Sequence, residues 1–415
     1  MRQERLQPIA AKRDLTIVGV RDGEAAASLR WSTLARDEPD TTSPEQDIAP
    51  DDDFAIMYSS GSTGHPKGVV LTHRGAISAV YSWLMSVVIG PLMVEPEPNP
   101  REPLPPVVLV VTPLFHVTAT HPVFLLSIPA GAKVVVMDKW DAEEAVRLIE
   151  RENVTRFLGV PTQSAELMAA AKASGAKLES LDFLGSGGAK RPAAQVEELH
   201  EAFPHASIAS GWGMTETNAI GIGITGPDYL ARPGAAGRLY PPLQQLKILD
   251  DDGNEVPNGQ VGEITVKSAA NMRCYLNKPD ETAETLQDGW LKTGDLGTVD
   301  DDGFVTIVDR KKNIIIRGGE NISCLEVEGA IHRHPAVLEA GVFSVPDERL
   351  GEVVGAGVQT RPGMSVTDKE LNLFLADHIA KFKIPVTYWF REHDLPRGAT
   401  DKTDRRALRR ECLGL

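Results

Sequence analysis

The sequence has little cysteine and no long apolar run. Its three cysteines, Cys274, Cys324 and Cys412, lie far apart and without the spacing of a metal site. An odd number of scattered cysteines argues against a disulfide framework and is typical of reduced thiols in the cytosol. The most apolar segments, Pro106 to Val111 and Val123 to Met137, are too short, or too interrupted by proline and glycine, to span a bilayer. We therefore expect a cytoplasmic protein with no transmembrane segment, and we leave peripheral membrane contact open.

The sequence also lacks an excess of positive charge. Its 43 lysines and arginines are outnumbered by 58 aspartates and glutamates, which gives a net charge of −15. Such a charge disfavours nucleic acid as a partner. The G-x-S-x-G elbow, any evident Ser-His-Asp or Cys-His set and the Walker spacing G-x-x-x-x-G-K-S/T are absent as well. With a length of 415 residues, the chain predicts at least two domains.

Short apolar runs alternate with helical patterns through the first part of the chain, which is typical of α/β layers. The predicted strands are Leu15 to Val20, Phe54 to Met57, Val107 to Val111, Lys133 to Met137, Arg156 to Gly159 and Ser180 to Leu184. The predicted helices are Glu24 to Leu34, Ala142 to Glu152, Ser164 to Ser174 and Pro192 to Ala202.

The pattern changes to strand and turn after Ala235. Asp-Gly pairs at Asp252, Asp288 and Asp302 predict β-hairpin turns, and hence a β-rich subdomain. A boundary near Lys312 precedes a compact α+β region of about 100 residues, the size of an independent core. We predict an α/β fold with a multi-layer large domain over residues 1–311 and a small α+β domain over residues 312–415.

The stretch from Tyr58 to Gly68, which reads Tyr-Ser-Ser-Gly-Ser-Thr-Gly-His-Pro-Lys-Gly, follows a predicted buried strand. Glycines let backbone N–H groups converge on an anion, the hydroxyls add donors and Lys67 adds positive charge. A Gly/Ser linker is the plainer alternative. Because linkers seldom follow a buried strand directly, the pattern favours a phosphate-binding loop.

Three further stretches are ambiguous by themselves, and the phosphate-binding loop favours their functional interpretation. In Gly211 to Thr217, a flat base could stack on Trp212 and Glu216 could hold Mg²⁺; alone it would be a strand-end turn. In Trp290 to Leu296, Asp295 could accept ribose hydroxyls, or could be a surface charge. The stretch Leu395 to Arg406 would read as a basic, solvated tail on composition alone.

In their order, these stretches resemble the adenylate-forming superfamily of acyl-CoA synthetases, aryl-CoA ligases, luciferases and peptide-synthetase adenylation domains, over about residues 52–408. The resemblance implies a mobile C-terminal domain, ATP, Mg²⁺ and CoA as cofactors, and a two-step reaction through an acyl-adenylate. It implies catalytic roles for Lys402, Thr215, Glu216 and His116, with Glu216 and Thr63 on the Mg²⁺ side. It implies ATP contacts at Ser59, Ser60, Gly61, Ser62, Thr63, Gly64, Lys67, Gly188, Ala189, Gly211, Trp212, Gly213, Asp295 and Arg310. It further implies a hinge at Lys312, CoA contacts at Gly318 and Gly319, and an acyl pocket of Val117, Thr118, Gly187, Ile220 and Gly221.

The substrate is suggested by His116, which stands where peptide-synthetase domains place an aspartate for the substrate amine. An imidazole cannot replace that anion, and the predicted pocket is apolar or small, so the resemblance implies a medium- or long-chain fatty acid. Two features depart from the family: Asp401 precedes Lys402 where Gly-Lys is usual, and fewer than sixty residues precede the phosphate loop where relatives carry well over a hundred. We therefore expect an exposed apolar edge, as if the first part of the large domain were missing.

Three hypotheses follow. The first is an acyl-CoA synthetase for a fatty acid, with acid, ATP and CoA as its small-molecule partners. The second is an aryl-CoA ligase, or a ligase that loads an acyl group onto a carrier protein. The third is a truncated, catalytically silent remnant.

Overall fold

The computed structural model describes residues 12–13, 18–19, 29–30, 46–59, 66–93, 102–240, 243–398 and 402–415. Residues 1–49 are a unit of their own, in which the described strands β1 (Val18–Gly19) and β2 (Leu29–Arg30) pair in parallel. The helix predicted over Glu24 to Leu34 is therefore wrong at Leu29 and Arg30, which are extended.

The second unit, residues 50–415, begins with a hairpin. The strands β3 (Asp53–Ser59) and β4 (Lys67–Thr72) pair antiparallel and lead into helix α1 (His73–Ile89). Thr72 caps this helix by accepting a hydrogen bond from the N–H of Gly75. Large apolar side chains on α1 and just after it are exposed, including Ile77, Tyr81, Val88 and Leu92. The apolar edge expected from the sequence stays a prediction.

A seven-stranded sheet forms the centre of the large domain. Its strands and the helices between them are β5 (Val107–Val110), α2 (Val117–Ala119), β6 (Lys133–Val136), α3 (Ala142–Glu152), β7 (Arg156–Gly159), α4 (Pro161–Ser174), β8 (Phe183–Gly187), α5 (Ala193–Ala202), β9 (Ser207–Trp212), β10 (Ile222–Thr225), α6 (Gly226–Ala231) and β11 (Arg238–Leu239). The strand order is β11, β10, β9, β8, β7, β5, β6. The five strands β9, β8, β7, β5 and β6 are parallel.

Both faces of this sheet are buried, as parallel sheets require. Phe157 and Leu184 pack with residues of α3, α4 and α5 on one face, whereas Val108 and Val110 pack with Ala119 on the other. Of the predicted elements, the helix Ala142 to Glu152 and the strand Arg156 to Gly159 have the predicted bounds, and the other predicted helices and strands of this sheet shift by one to three residues.

The β-rich part follows, as the Asp-Gly pairs predicted. Its elements are β12 (Gln244–Leu249), β13 (Gly262–Ser268), β14 (Cys274–Tyr275), α7 (Pro279–Thr285), β15 (Leu286–Gln287), β16 (Trp290–Val299) and β17 (Val305–Arg310). Asp288 and Gly289 have φ angles of +50° and +80°, which is the two-residue turn that joins β15 to β16. β14 instead pairs with β4 beside the first hairpin.

A five-stranded sheet, the C-terminal sheet, forms the small domain together with three of the described helices. Its elements are β18 (Ile314–Arg317), β19 (Glu320–Ser323), α8 (Cys324–Ile331), β20 (Val337–Asp347), β21 (Gly351–Thr360), α9 (Asp368–Ala376), β22 (Thr387–Arg391) and α10 (Arg405–Leu413). The predicted basic tail, Leu395 to Arg406, enters helix α10 at Arg405. This helix is not fully solvated, because its Leu408 is fully buried. The predicted fold class is confirmed, whereas the domain boundary at residue 312 stays a prediction.

In the described part of the chain, no helix combines the length and apolar character needed to cross a membrane.

Candidate active site

The site lies at one edge of the large sheet, where β5, β7, β8 and β9 end. The chain leaves β5 for β6 on one side and later returns to β7 on the other side. Such a switch point opens a crevice at the carboxyl ends of parallel strands, which is where α/β sheets bind ligands. Short segments with polar or glycine residues follow β5, β8 and β9, whereas Val160 alone separates β7 from α4.

A small cavity occupies this crevice and encloses about 10 Å³, room for about one water molecule. Its walls come from the segments after β5, β7 and β8 and from the C-terminal domain. They are formed by Thr112, Pro113, His116, Thr118, Val160, Gly187, Gly188 and Lys402. The hydroxyls of Thr112 and of nearby Ser186 are buried without a hydrogen-bond partner among the described residues. An orphaned hydroxyl at this edge is a polar group still available to a ligand.

Lys402 reaches into the cavity against Gly188. A side-chain Cβ on Gly188 would lie 2.7 Å from Cε and 2.8 Å from Nζ of Lys402, and Gly188 has a φ of +79°. Both the contact and the backbone angle favour glycine here. Burial, followed by the positive charge of Arg310, lowers the pKa of Lys402 to about 8, and Asp295 opposes the shift. Among the described residues, the negative charge near the lysine does not offset its burial.

The segment that carries Lys402 is fastened to the C-terminal sheet. Gly398 donates its N–H to the carbonyl of Lys402 at 2.8 Å, and Arg397 and Thr403 form an antiparallel bridge. Glu339 on β20 accepts from Arg397 at 2.7 and 3.1 Å and from the Thr403 hydroxyl at 2.7 Å. Lys402 is thus held by contacts within the C-terminal domain.

His116 faces the lysine as a neutral imidazole. Its Nδ1 accepts the backbone N–H of Thr118 at 3.2 Å, so the ring proton is on Nε2. Burial, followed by the charge of Lys402, lowers the pKa of His116 to about 4. The ring can therefore donate one hydrogen bond near pH 7 without carrying charge.

Asp295, Arg310 and Trp212 form a second group beside the lysine. Arg310 lies opposite Asp295 in the pairing of β16 with β17, and its Nε is 3.1 Å from Oδ1 of the aspartate. The indole N–H of Trp212 donates to Oδ2 of Asp295 at 2.7 Å. Burial raises the pKa of Asp295, while Arg310 and the indole N–H oppose that shift.

Glu216 and Lys67 are connected through one tyrosine. The hydroxyl of Tyr275 donates to Oε1 of Glu216 at 2.8 Å, and burial raises the pKa of that hydroxyl beyond its ordinary range. Nζ of Lys67 lies 4.7 Å from the centre of the tyrosine ring and 2.7 Å from Oε2 of Glu281. The two charges predicted to meet Mg²⁺ and phosphate are thus adjacent to the same side chain.

The remaining predicted residues are placed unevenly. Ser60, Gly61, Ser62, Thr63, Gly64 and Asp401 lie outside the described residues, and Ser59 ends β3. Ala189 follows the cavity wall, while Gly211, Gly213 and Thr215 flank Trp212. Val117, Ile220 and Gly221 do not line the cavity: Val117 and Ile220 are buried in hydrophobic clusters.

Two predicted sites lie on the C-terminal side. Gly318 and Gly319 form the turn between β18 and β19, with φ angles of +58° and +92°. Lys312 lies in the short 3₁₀ segment before β18. Burial, followed by Arg310, lowers its pKa to about 8.

Sequence reasoning missed several contacts of the site. Thr112 and Pro113 directly precede the segment of His116, which could have drawn attention to them. Tyr275 and Glu281 follow β4 by about two hundred residues of chain, and no local pattern connects them to Lys67.

Two family models match the chain. The AMP-binding enzyme model covers residues 2–276 and the AMP-binding enzyme C-terminal domain model covers residues 326–402. The chain belongs to the AMP-binding enzyme family. Its predicted membership of the adenylate-forming superfamily is thereby confirmed.

Curated members of the AMP-binding family are similar over most of this chain. A long-chain-fatty-acid–CoA ligase of Bacillus subtilis is 34% identical over 89% of this chain, which spans 62% of that ligase. A fatty acid–acyl-carrier-protein ligase of Streptomyces coeruleorubidus is 36% identical over 96% of this chain and 74% of its own length. A 4-coumarate–CoA ligase of Oryza sativa is 33% identical over 98% of this chain and 72% of its own length.

Solved structures of family members share the fold. An o-succinylbenzoate CoA synthetase of Bacillus subtilis, in complex with its acyl-adenylate intermediate, has a TM-score of 0.78 and 30% identity over 92% of this chain and 74% of its own. The same synthetase in complex with ATP and a magnesium ion has a TM-score of 0.77 and 29% identity, over 92% and 75%.

The described residues fit a magnesium ion bound together with phosphate. They contain no group of three or more His, Cys, Asp or Glu side chains that could hold a metal alone. Mg²⁺, however, is commonly held by one or two carboxylates together with substrate phosphates. Glu216, with 6% of its surface exposed, offers one such carboxylate.

Proposed function

We propose that this protein uses ATP to convert a carboxylic acid, a medium- or long-chain fatty acid, into acyl-AMP and then into acyl-CoA. The observation that carries the proposal is the meeting of Lys402 with His116 and Gly188 at the switch point of the large sheet. Lys402 comes from the C-terminal domain, and the other two residues come from the large domain. Asp295 and Arg310 stand beside them as a site for the ribose.

The physical requirement of the first half-reaction is neutralisation of charge. A carboxylate and a triphosphate repel each other, so the site must supply positive charge where the pentavalent phosphorus forms. Lys402 bridges the carboxylate and the α-phosphate, and the Nε2–H of His116 donates to a carboxylate oxygen. Glu216, with Thr63, would hold Mg²⁺, which neutralises phosphate charge when bound. Lys67 and the glycine-rich loop hold the remaining phosphates.

The second half-reaction requires the lysine to leave. Among the described residues, the cavity beside Lys402 has room for about one water, so we propose that the lysine withdraws before the thiol enters. Rotation of the C-terminal domain at Lys312 would withdraw the lysine and bring Gly318 and Gly319 to the thiol of CoA.

The acid is proposed from the chemistry of the walls. His116 is neutral, so it offers no anion to the amine of an amino acid. Apart from Lys402, the other walls are uncharged: two threonines, a proline, a valine and two glycines. Relatives named for a long-chain fatty acid and for 4-coumarate are similar to nearly the same degree. A carrier protein is the second candidate acceptor, because a relative named for loading a carrier protein is 36% identical.

ATP–pyrophosphate exchange with a panel of acids, followed by product analysis with CoA or a carrier protein, tests the proposal. Fatty acids of eight or more carbons should support exchange and give acyl-CoA. Exchange with only aromatic acids would indicate an aryl-CoA ligase, and thioester formed only on the carrier protein would identify the second acceptor. Absence of exchange with every acid would indicate the silent remnant.

The variant Lys402→Ala tests the role of the lysine in each half-reaction. It should abolish exchange but leave conversion of supplied acyl-AMP to acyl-CoA largely intact, since the lysine serves only the first half-reaction. Equal loss in both halves would contradict its role.

A further inference from the structure

The indole N–H of Trp212 connects two sheets. Trp212 ends β9 of the large sheet, and the aspartate that accepts its hydrogen bond lies on β16 of the β-rich part. The N···O distance of 2.7 Å is that of a charge-assisted hydrogen bond. The ring itself packs against the hydrophobic cluster that includes Val117 and Ile222, so the donor is held in place by packing.

Among the described residues, Asp295 is otherwise held by its ion pair with Arg310, and the charge of Lys312 also favours its ionised form. The residue is 5% exposed, and burial raises its pKa. Its ion pair with Arg310 uses Nε, and the arginine side chain is 50% exposed. A long, half-exposed arginine restricts a carboxylate less than a packed indole does, because its rotamers are not fixed by neighbours.

A carboxylate offers about four lone-pair positions. Trp212 uses one on Oδ2 through its hydrogen bond, and Arg310 approaches Oδ1 as an ion pair at 3.1 Å. At least one position on each oxygen is left, which is the arrangement that accepts two neighbouring hydroxyls. A tyrosine or phenylalanine ring at residue 212 could still stack on a base, but it carries no N–H at this point.

We propose that Trp212 is a positioning residue whose indole N–H orients the Asp295 carboxylate for both hydroxyls of a nucleotide ribose. The inference rests on the proposed function, in which Asp295 binds the ribose of ATP. Trp212 thereby contributes to discrimination between ribonucleotides and deoxyribonucleotides, in addition to any stacking of its ring.

Isothermal titration calorimetry with ATP and 3′-deoxy-ATP tests the inference. The two nucleotides are titrated into the wild type, Trp212→Phe and the control Trp290→Phe, whose indole lies on the same strand as Asp295. Wild type should bind ATP more tightly than 3′-deoxy-ATP. Trp212→Phe should lower the affinity for ATP about tenfold or more, as expected for the loss of a hydrogen bond to a charged group. It should lower the affinity for 3′-deoxy-ATP much less. The control should leave the ratio of the two affinities unchanged.

If Trp212→Phe lowers the affinity for both nucleotides equally, or for neither, the inference is overturned, because the N–H would then have no role in ribose binding. Failure of the wild type to bind either nucleotide would instead overturn the proposed function. If Trp212→Phe does not fold, 3-benzothienylalanine at residue 212 keeps the ring shape and replaces the N–H by sulfur. An unchanged preference for ATP in that protein would equally refute the role of the N–H.

Discussion

Binding of ATP should draw a proton onto Lys402 in mildly alkaline solution. Burial, assisted by Arg310, holds the pKa of this lysine at about 8, well below its ordinary 10.5. A triphosphate placed beside the ammonium supplies the missing negative charge and raises the pKa again. The protein must therefore take up a proton from solution when the nucleotide binds.

The size of the uptake follows from the two pKa values. At a pH of about 9, roughly one tenth of a group with a pKa near 8 is protonated, whereas nearly all of a lysine with its ordinary pKa is protonated. Binding should then take up as much as about 0.9 proton per nucleotide, falling toward zero at a pH of about 6. Lys312, whose pKa is also lowered to about 8, can add a smaller contribution.

Calorimetric titration in buffers of different ionisation enthalpy measures this uptake directly. Lys402→Met should remove most of it at alkaline pH, and the exposed control Lys369→Met should not. A wild-type enthalpy that does not depend on the buffer at a pH of about 9 would refute the reasoning. So would equal uptake by wild type and Lys402→Met.

The same shift has a consequence for stability, with a defined sign. The unfolded chain binds its lysine proton more tightly than the folded chain does, so burial of Lys402 is most costly below a pH of about 8. The free energy of unfolding should rise with pH between about 8 and 10.5. Urea denaturation of Lys402→Met should show a smaller rise than wild type.

Three further predictions concern stability and the first half-reaction. Tyr275→Phe removes the hydroxyl that donates to buried Glu216, and should lower the free energy of unfolding in urea by about 1–3 kcal/mol. Gly213→Ala places a Cβ 2.0 Å from the carbonyl oxygen of Ala219. This contact should lower the free energy of unfolding by about 3 kcal/mol or more. Glu339→Gln weakens the fastening of the Lys402 segment, so pyrophosphate exchange should slow at least about tenfold while thioester formation from supplied acyl-AMP is spared.

Each of these predictions has a matched control. Tyr81→Phe changes an exposed tyrosine on α1, Gly234→Ala adds a Cβ with no atom within 4 Å at a glycine without a positive φ, and Glu348→Gln changes an exposed glutamate. Urea midpoints of Tyr275→Phe or Gly213→Ala equal to those of their controls would contradict the first two predictions. Equal slowing of both half-reactions in Glu339→Gln would contradict the third.

Periodicity and turn chemistry predicted much of the fold. The helix Ala142 to Glu152 has the predicted bounds because Asp141 caps its start and Asn153, with a φ of +54°, ends it. The turn at Asp288 was predictable because Asp-Gly tolerates two positive φ angles in succession. The C-terminal helix α10 was not predicted, since its mean composition is basic and burial of Leu408 depends on contacts with the distant strands β20 and β21.

The site was predictable where residues carry a motif and not where they meet across the chain. Lys402 and His116 were singled out by their motifs, and they line one cavity. The hydrogen bond from Trp212 to Asp295, and the contact of Tyr275 with Glu216, join segments 83 and 59 residues apart. Such pairs depend on strand order and register, which a single sequence does not specify.

If the C-terminal domain rotates as proposed, the contact of Lys402 with Gly188 makes domain orientation a thermodynamic variable of the chemistry. One partner belongs to the C-terminal sheet and the other to the large sheet, so a ligand that prefers the inserted lysine also shifts the population toward this orientation. Each tenfold higher affinity of a ligand for this orientation shifts the free-energy difference between the orientations by about 1.4 kcal/mol. A substrate that engages the lysine weakly would therefore leave a smaller fraction of molecules in the orientation that can react.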